Sequence, residues 1–197
     1  MYDIMRYDDE YKIVGILGQP RAGKTLLAVH YLYNYHLLGR PVYTNIDMSF
    51  RTGAITVDML YKFPDELNNS CILFDEIHKY ADAYKFFSKS AQAMSTLFTQ
   101  LGKRKIYLFF TTQLWRTVPI RLRELTTTLI TVDKIKIIDR LTGKYVKGLA
   151  KCQAYQRDGN SFVKLGDFNF DGRRYLDMYD TNEIVLGVDA EPVADTS

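Results

Sequence analysis

The sequence predicts an α/β protein with a mostly parallel central sheet and an antiparallel β extension toward its C-terminal end. Three features predict it. Compact apolar runs at 11–17, 71–74 and 106–110 read as buried strands. Segments free of Gly and Pro, at 26–38 and 82–101, read as the helices between them. After residue 132 the pattern changes to short strand-like runs separated by turns.

Taken in order, the first strand (11–17) ends at Gly18, and the helix that follows has Gly39 at its C-terminal side. Residues 41–44 form a short second strand. The stretch 45–69 holds no strong periodic element beyond a short helix around 57–61. Residues 71–74 make a third strand directly before Asp75-Glu76. In the long helix 82–101, Met94, Leu97, Phe98 and Leu101 share one face, and Gly102 closes it. The fourth strand (106–110) ends at Thr111-Thr112-Gln113, and 125–132 is the fifth. Short strands follow at 135–138, 145–155 and 161–165, with turns at Thr142-Gly143 and Asp158-Gly159-Asn160. Beyond 165 the core-forming residues are few: Tyr175, Leu176, Tyr179 and the run 184–188, with 189–197 as a loose tail. This divides the chain into a core over 1–132 and a β-rich extension over 133–197 packed on it.

Composition excludes several classes. The 197 residues are 47% hydrophobic and 25% charged, which suits one globular domain with a small appendage. No run of roughly 18 apolar residues occurs, so no membrane span is expected. The polar, acidic start from Met1 to Glu10 is not a secretory signal. Two cysteines, Cys71 and Cys152, do not make a disulfide scaffold, and His30, His36 and His78 lack metal-ligand spacing. A net charge of +3 says little about nucleic acid.

The motifs say more. Gly18-Gln19-Pro20-Arg21-Ala22-Gly23-Lys24-Thr25 fits the phosphate-binding pattern G-x-x-x-x-G-K-[ST] without departure, between a strand and a helix. Successive backbone N–H groups in such a loop curl around a β-phosphate, and the helix that continues through Leu26 adds its positive end. Lys24 reaches the β- and γ-phosphates, and the Thr25 hydroxyl ligates Mg2+. A plain glycine turn before a helix is the alternative, which the flanks and the partner motif outweigh. That partner is Cys71-Ile72-Leu73-Phe74-Asp75-Glu76. Four apolar residues put Asp75 at the C-terminal end of a strand, where open sheets bind ligands. Asp75 suits the magnesium shell, and Glu76 suits a general base for the attacking water. Gln113, with Thr112 second, is placed to sense the γ-phosphate and orient that water. Together these predict ATP hydrolysis with ATP and Mg2+ as ligands. A small-molecule kinase is the chemical rival, but no arginine-rich lid is evident. GTP is disfavoured because no Asn-Lys-x-Asp guanine-reading motif occurs.

Arg116, Arg121 and Arg123 follow the sensor. In an oligomeric ATPase one such arginine enters the neighbouring subunit's site, and Arg121 and Arg123 are both candidates, with a surface role as the alternative for each. Arg21 faces the phosphates, solvent or a neighbour. Lys103-Arg104-Lys105 and the lysines and arginine of 134–151 (Lys134, Lys136, Arg140, Lys144, Lys147, Lys151) suit a phosphate backbone or ordinary solvation equally.

The order of these segments, with Thr44-Asn45-Ile46, Asp75-Glu76-Ile77-His78 and the strand-terminal Gln113, resembles the Zot-like ATPase domain of filamentous phage assembly proteins. It also resembles the wider FtsK/HerA superfamily, which includes viral genome-packaging ATPases. The likeness spans residues 13–130. It implies a P-loop NTPase three-layer αβα fold of the additional-strand, catalytic-glutamate class, with core strands ordered 5-1-4-3-2. It further implies a homo-oligomeric ring, a hexamer, that uses ATP to translocate double-stranded DNA. Carried onto this chain, Lys24 and Thr25 bind phosphate and magnesium, Asp75 supports magnesium, Glu76 activates water and Gln113 is the sensor. The arginine finger maps to Arg123, with Arg121 as alternative. The phage assembly proteins carry a membrane-spanning segment and this chain does not. That difference favours a soluble packaging motor of the host cytoplasm, working at a capsid portal or vertex protein. The other expectations are an extrusion ATPase with membrane partners, a non-translocating assembly protein and a small-molecule kinase.

Overall fold

The computed structural model describes residues 12–79, 85, 99–135, 137–138, 141 and 146–179. The strands are β1 (Ile13–Leu17), β2 (Val42–Thr44), β3 (Gly53–Ala54), β4 (Cys71–Phe74), β5 (Tyr107–Thr112), β6 (Thr128–Lys134), β7 (Leu149–Asp158) and β8 (Ser161–Asp171). They form one sheet in the order β3-β2-β4-β5-β1-β6-β7-β8. From β3 through β6 every neighbouring pair is parallel. The last two strands are antiparallel. Read without the short edge strand β3 and the terminal hairpin, the order β6-β1-β5-β4-β2 is the 5-1-4-3-2 arrangement the resemblance implies.

Period-two alternation builds the layers. In β1, β4 and β5, Val14, Ile16, Cys71, Leu73 and Phe109 join the core beneath helix α1 (Lys24–Leu37). Their neighbours Ile13, Ile72, Phe74, Leu108 and Phe110 join a second core on the opposite face. That face is covered by α2 (Val57–Lys62), the helical residues 99–103 and α3 (Ile120–Leu125). A sheet buried on both faces needs the near-continuous apolar strands seen here. The result is a three-layer P-loop NTPase fold with a C-terminal antiparallel extension. No described helix is long and apolar enough to cross a membrane.

The hairpin obeys a different pattern. Ala150, Cys152, Ala154 and Phe170 are buried in the α1-side core, while Lys151, Gln153, Tyr155 and Arg157 lie on the other face. That face holds a polar network: Gln153 donates to Asp167 at 2.8 Å, and Tyr155 donates to Gln153 at 3.0 Å. Gly159 takes a positive φ of 56° in the two-residue turn, as a tight hairpin requires. Past β8 the chain returns over α1. A Cβ on Gly172 would sit 2.7 Å from the ends of the buried Leu26 and Phe170 side chains, so a larger residue there would have to displace them. Tyr175 is then fully buried, 2.6 Å from His30 Nδ1, and the Ser49 N–H donates to the Met178 carbonyl.

Several sequence expectations need correction. Leu125 ends α3 rather than opening a strand; the fifth core strand starts at Thr128. The helix before β5 continues through Gly102 to residue 103. It ends where Lys105 adopts φ 53°, with the Lys105 and Ile106 N–H groups bonding back to Gly102 and Leu101. Lysine thus occupies the left-handed position there, whereas Gly39 (φ 79°) occupies it after α1. The strand expected at 145–155 starts only at Leu149 and runs on to Asp158, and the one expected at 161–165 runs on to Asp171. β3 was not expected, since two residues carry no periodicity. Most of the helix 82–101, the turn Thr142-Gly143, Lys136, Arg140, Lys144, the run 184–188 and the tail 189–197 lie outside the described residues.

Candidate active site

The segments singled out from sequence meet at the C-terminal edge of the parallel strands. The loop 18–23 leaves β1 between β5 and β6. The Gly18 N–H donates to the Thr112 carbonyl, and a Cβ on Gly18 would lie 2.3 Å from the Val132 carbonyl oxygen. Gly23 has φ 103° and Arg21 φ 61°, which curls the loop before α1 begins at Lys24. No side chain caps α1, so the loop and the first helical N–H groups form a cradle of donors. Gln19, Pro20 and Arg21 are exposed on its rim, while Ala22 and Leu26 are buried in the core below.

Lys24 is buried, and its ammonium donates to the Gln19 carbonyl across the loop at 3.1 Å. Burial pulls its pKa down, against the opposing pull of Glu76 and Asp75. The Thr25 hydroxyl donates to Asp75 Oδ1 at 2.9 Å, joining the two motifs across 50 residues of sequence. Asp75 follows β4 and is buried. Burial pushes its carboxyl up, and hydrogen bonds from the Thr111 and Thr25 hydroxyls oppose that. The Asn45 side chain, just past β2, grips the Asp75 backbone at both ends. Its Oδ1 accepts from the N–H at 2.7 Å and its Nδ2 donates to the carbonyl at 3.0 Å.

Glu76 sits beside this group with a positive φ of 47°. Gln113 Nε2 donates to its Oε1 at 3.1 Å, and Lys79 pairs with its Oε2. Burial raises its pKa, but Lys79 and Gln113 outweigh burial and hold the carboxyl below its usual range. Glu76 is therefore ionised at neutral pH and able to accept a proton. The Thr112 hydroxyl donates to the Leu114 carbonyl at 3.2 Å and lies 3.4 Å from that of Thr117.

The arginines lie elsewhere. Arg121 and Arg123 are both on α3. Arg121 pairs with Glu124 at 2.8 Å, and the Arg123 carbonyl accepts from Arg157 of β7. Among the described residues, no hydrogen bond or ion pair links either to Lys24, Asp75 or Glu76. Arg104, of the basic Lys103-Arg104-Lys105 cluster, bonds to Gln100, Asn68 and Asp65 at the opposite edge of the sheet. Sequence reasoning passed over Thr111, Lys79 and, as an individual residue, Asn45. The signal for Thr111 was available: it is a polar residue adjoining the apolar run Tyr107–Phe110, where a side chain is buried and needs a polar partner.

The donor set suits a magnesium nucleotide. Mg2+ keeps most of its water and takes one or two protein oxygens beside phosphate, which Thr25 and Asp75 can supply. No group of three or more His, Cys, Asp or Glu side chains among the described residues could hold a metal by itself.

No protein-family model matches the sequence, and no curated protein matches it. Solved structures do match in fold. The N-terminal domain of zonular occludens toxin from Neisseria meningitidis is similar with a TM-score of 0.60 at 19% identity, over 87% of this chain and 100% of that one. The genome packaging NTPase B204 of Sulfolobus turreted icosahedral virus 2 in complex with AMPPCP gives 0.54 at 9% identity, over 80% and 98%. The same NTPase in complex with ATP-gammaS gives 0.53 at 10% identity, over 79% and 96%. At these identities the likeness establishes the shared fold.

Proposed function

We propose that this chain is an ATP-hydrolysing motor that translocates double-stranded DNA, and that its setting is the packaging of a viral genome. The observation that carries the hydrolase part is the Thr25–Asp75 hydrogen bond with Glu76 and Gln113 beside it. One sheet edge thus gathers a phosphate cradle, a magnesium-compatible pair and an ionised base. The motor part is supported by the resemblance in motif order and by the fold shared with a genome packaging NTPase.

In this reading, residues 18–26 hold the nucleotide phosphates through loop N–H groups and Lys24. Thr25 and Asp75 hold Mg2+. The bound magnesium nucleotide supplies the scissile phosphoanhydride and its charge screening. Glu76 takes the proton of the attacking water, and Gln113 fixes both that water and the carboxylate oxygen it already touches. Arg123, or Arg121 once freed from Glu124, acts on the site of the next copy in a hexameric ring. Residues 1–132 are the motor core, and 133–197 are an extension facing DNA, a neighbouring copy or a capsid portal or vertex protein. Phage morphogenesis with membrane partners is the second reading, favoured by the higher fold similarity to the zonular occludens toxin domain.

Turnover of MgATP measured with and without double-stranded DNA, alongside native mass, tests the proposal. A ring whose turnover rises with DNA is expected. A DNA-insensitive monomer would overturn the motor reading. Glu76→Gln should bind ATP and lose hydrolysis, and full turnover in that variant would remove Glu76 as the base.

A further inference from the structure

The two acidic residues after β4 are joined by one hydroxyl that belongs to neither motif. The β4–β5 register ends with Phe74 opposite Phe110, so Thr111 stands next to Asp75. Thr111 is fully buried. Its hydroxyl donates to Asp75 Oδ1 at 2.7 Å and accepts from the Glu76 backbone N–H at 2.7 Å. A threonine hydroxyl has one proton to give, and here it goes to the magnesium-side acid, while a lone pair restrains the water-side acid.

Both partners need restraint. Thr111 and Thr25 donate to the same carboxylate oxygen, which fixes the rotamer of a buried Asp75 and leaves Oδ2 with no described donor. Glu76 holds a left-handed backbone that is unfavourable for a non-glycine residue. Such a conformation persists only where neighbours over-determine it, and the Thr111 bond to its N–H is one of those constraints.

We infer that Thr111 is a positioning residue that couples the orientation of the Asp75 carboxylate to that of Glu76. This rests on the reading of the site as a magnesium-nucleotide hydrolase. Thr111→Val keeps the shape and the strand preference of the side chain and replaces the hydroxyl by a methyl group. Thr111→Ser keeps the hydroxyl. In the full-length protein, T111V should lower kcat for MgATP by about 10- to 100-fold, as loss of a hydrogen bond to a charged group predicts. Its KM should change little, and T111S should recover most of the rate. Urea unfolding checks that both variants are folded. Wild-type kcat in T111V, or equal damage in T111S and T111V, overturns the assignment. If wild type and Glu76→Gln show the same turnover, the hydrolase reading fails instead. The Mg2+ dependence of ATP binding then decides: T111V should need several-fold more Mg2+ because Asp75 is no longer oriented, and an unchanged dependence overturns the role.

Discussion

The contact between His30 and Tyr175 makes the stability of this chain depend on pH in a way that can be worked from the structure. His30 lies on α1, buried to 3% exposure, with its Nδ1 2.6 Å from the Tyr175 hydroxyl and the His30–Phe170 ring centroids 5.4 Å apart. Burial, together with the nearby positive charge of Arg174, lowers its pKa from the usual 6.5 to about 4. The folded state therefore holds His30 neutral, while the unfolded chain protonates it below about 6.5. The stabilisation is fully present above that pH and is lost as pH falls toward 4, because the unfolded state binds the extra proton. At about 1.4 kcal/mol per pH unit, the interval from 6.5 to 4 amounts to about 3 kcal/mol, an upper value that solvent access on opening would reduce. Urea unfolding of wild type and His30→Gln across pH 7.5 to 4.5 tests this. Carboxylates that titrate in the lower part of this range contribute to both chains, so the difference between the two curves isolates His30. Wild type should lose up to about 2.5 kcal/mol more than the variant over that interval. Parallel curves would refute the account. The consequence reaches the site, since the segment that Tyr175 anchors packs Gly172 onto Leu26, one residue beyond Thr25.

Other outcomes follow from single contacts. Lys79 occupies a Glu76 oxygen that the proposed hydrolysis needs open to water, so Lys79→Met should raise basal kcat about fivefold, the equivalent of a pair worth about 1 kcal/mol; an unchanged or lower steady-state rate contradicts this. Gly18→Ala drives a Cβ against the Val132 carbonyl. It should cost about 1–3 kcal/mol in urea unfolding and weaken nucleotide binding in a fluorescence titration. Arg157→Ala removes donors to the Arg123 carbonyl in α3 and the Thr126 carbonyl just after it, so hydrogen exchange at 120–127 should speed up while ATP affinity stays at the wild-type value.

The core of the fold was readable because its signals are local. Four apolar residues before Asp75, or an apolar strand before Gly18, are burial patterns that only a covered sheet satisfies. The β-hairpin was readable in kind but not in extent. Its strands alternate small buried residues (Ala150, Cys152, Ala154) with polar ones, and small residues give a weak apolar signal even when fully covered. Lys105 escaped notice as a helix stop because two backbone hydrogen bonds, from its own N–H to Gly102 and from Ile106 to Leu101, rather than glycine, compensate its left-handed φ.

The sequence by itself singled out the residues proposed to carry the chemistry. Lys24, Thr25, Asp75, Glu76 and Gln113 stand in motifs whose spacing reflects the needs of phosphate, metal and water. Tertiary structure alone decided how those residues hold one another. The Thr111 hydroxyl between two acids, the Asn45 side chain clasping the Asp75 backbone and the Lys79 charge on Glu76 leave no local pattern. Each of the first two depends on parallel strands, distant in sequence, coming to lie side by side, with partners 30 to 36 residues apart. Lys79 reaches Glu76 through the tight helical turn after β4, from only three residues away. A hydroxyl or an amide acquires a role only when burial removes the water it would otherwise bond, and burial is a property of the assembled sheet.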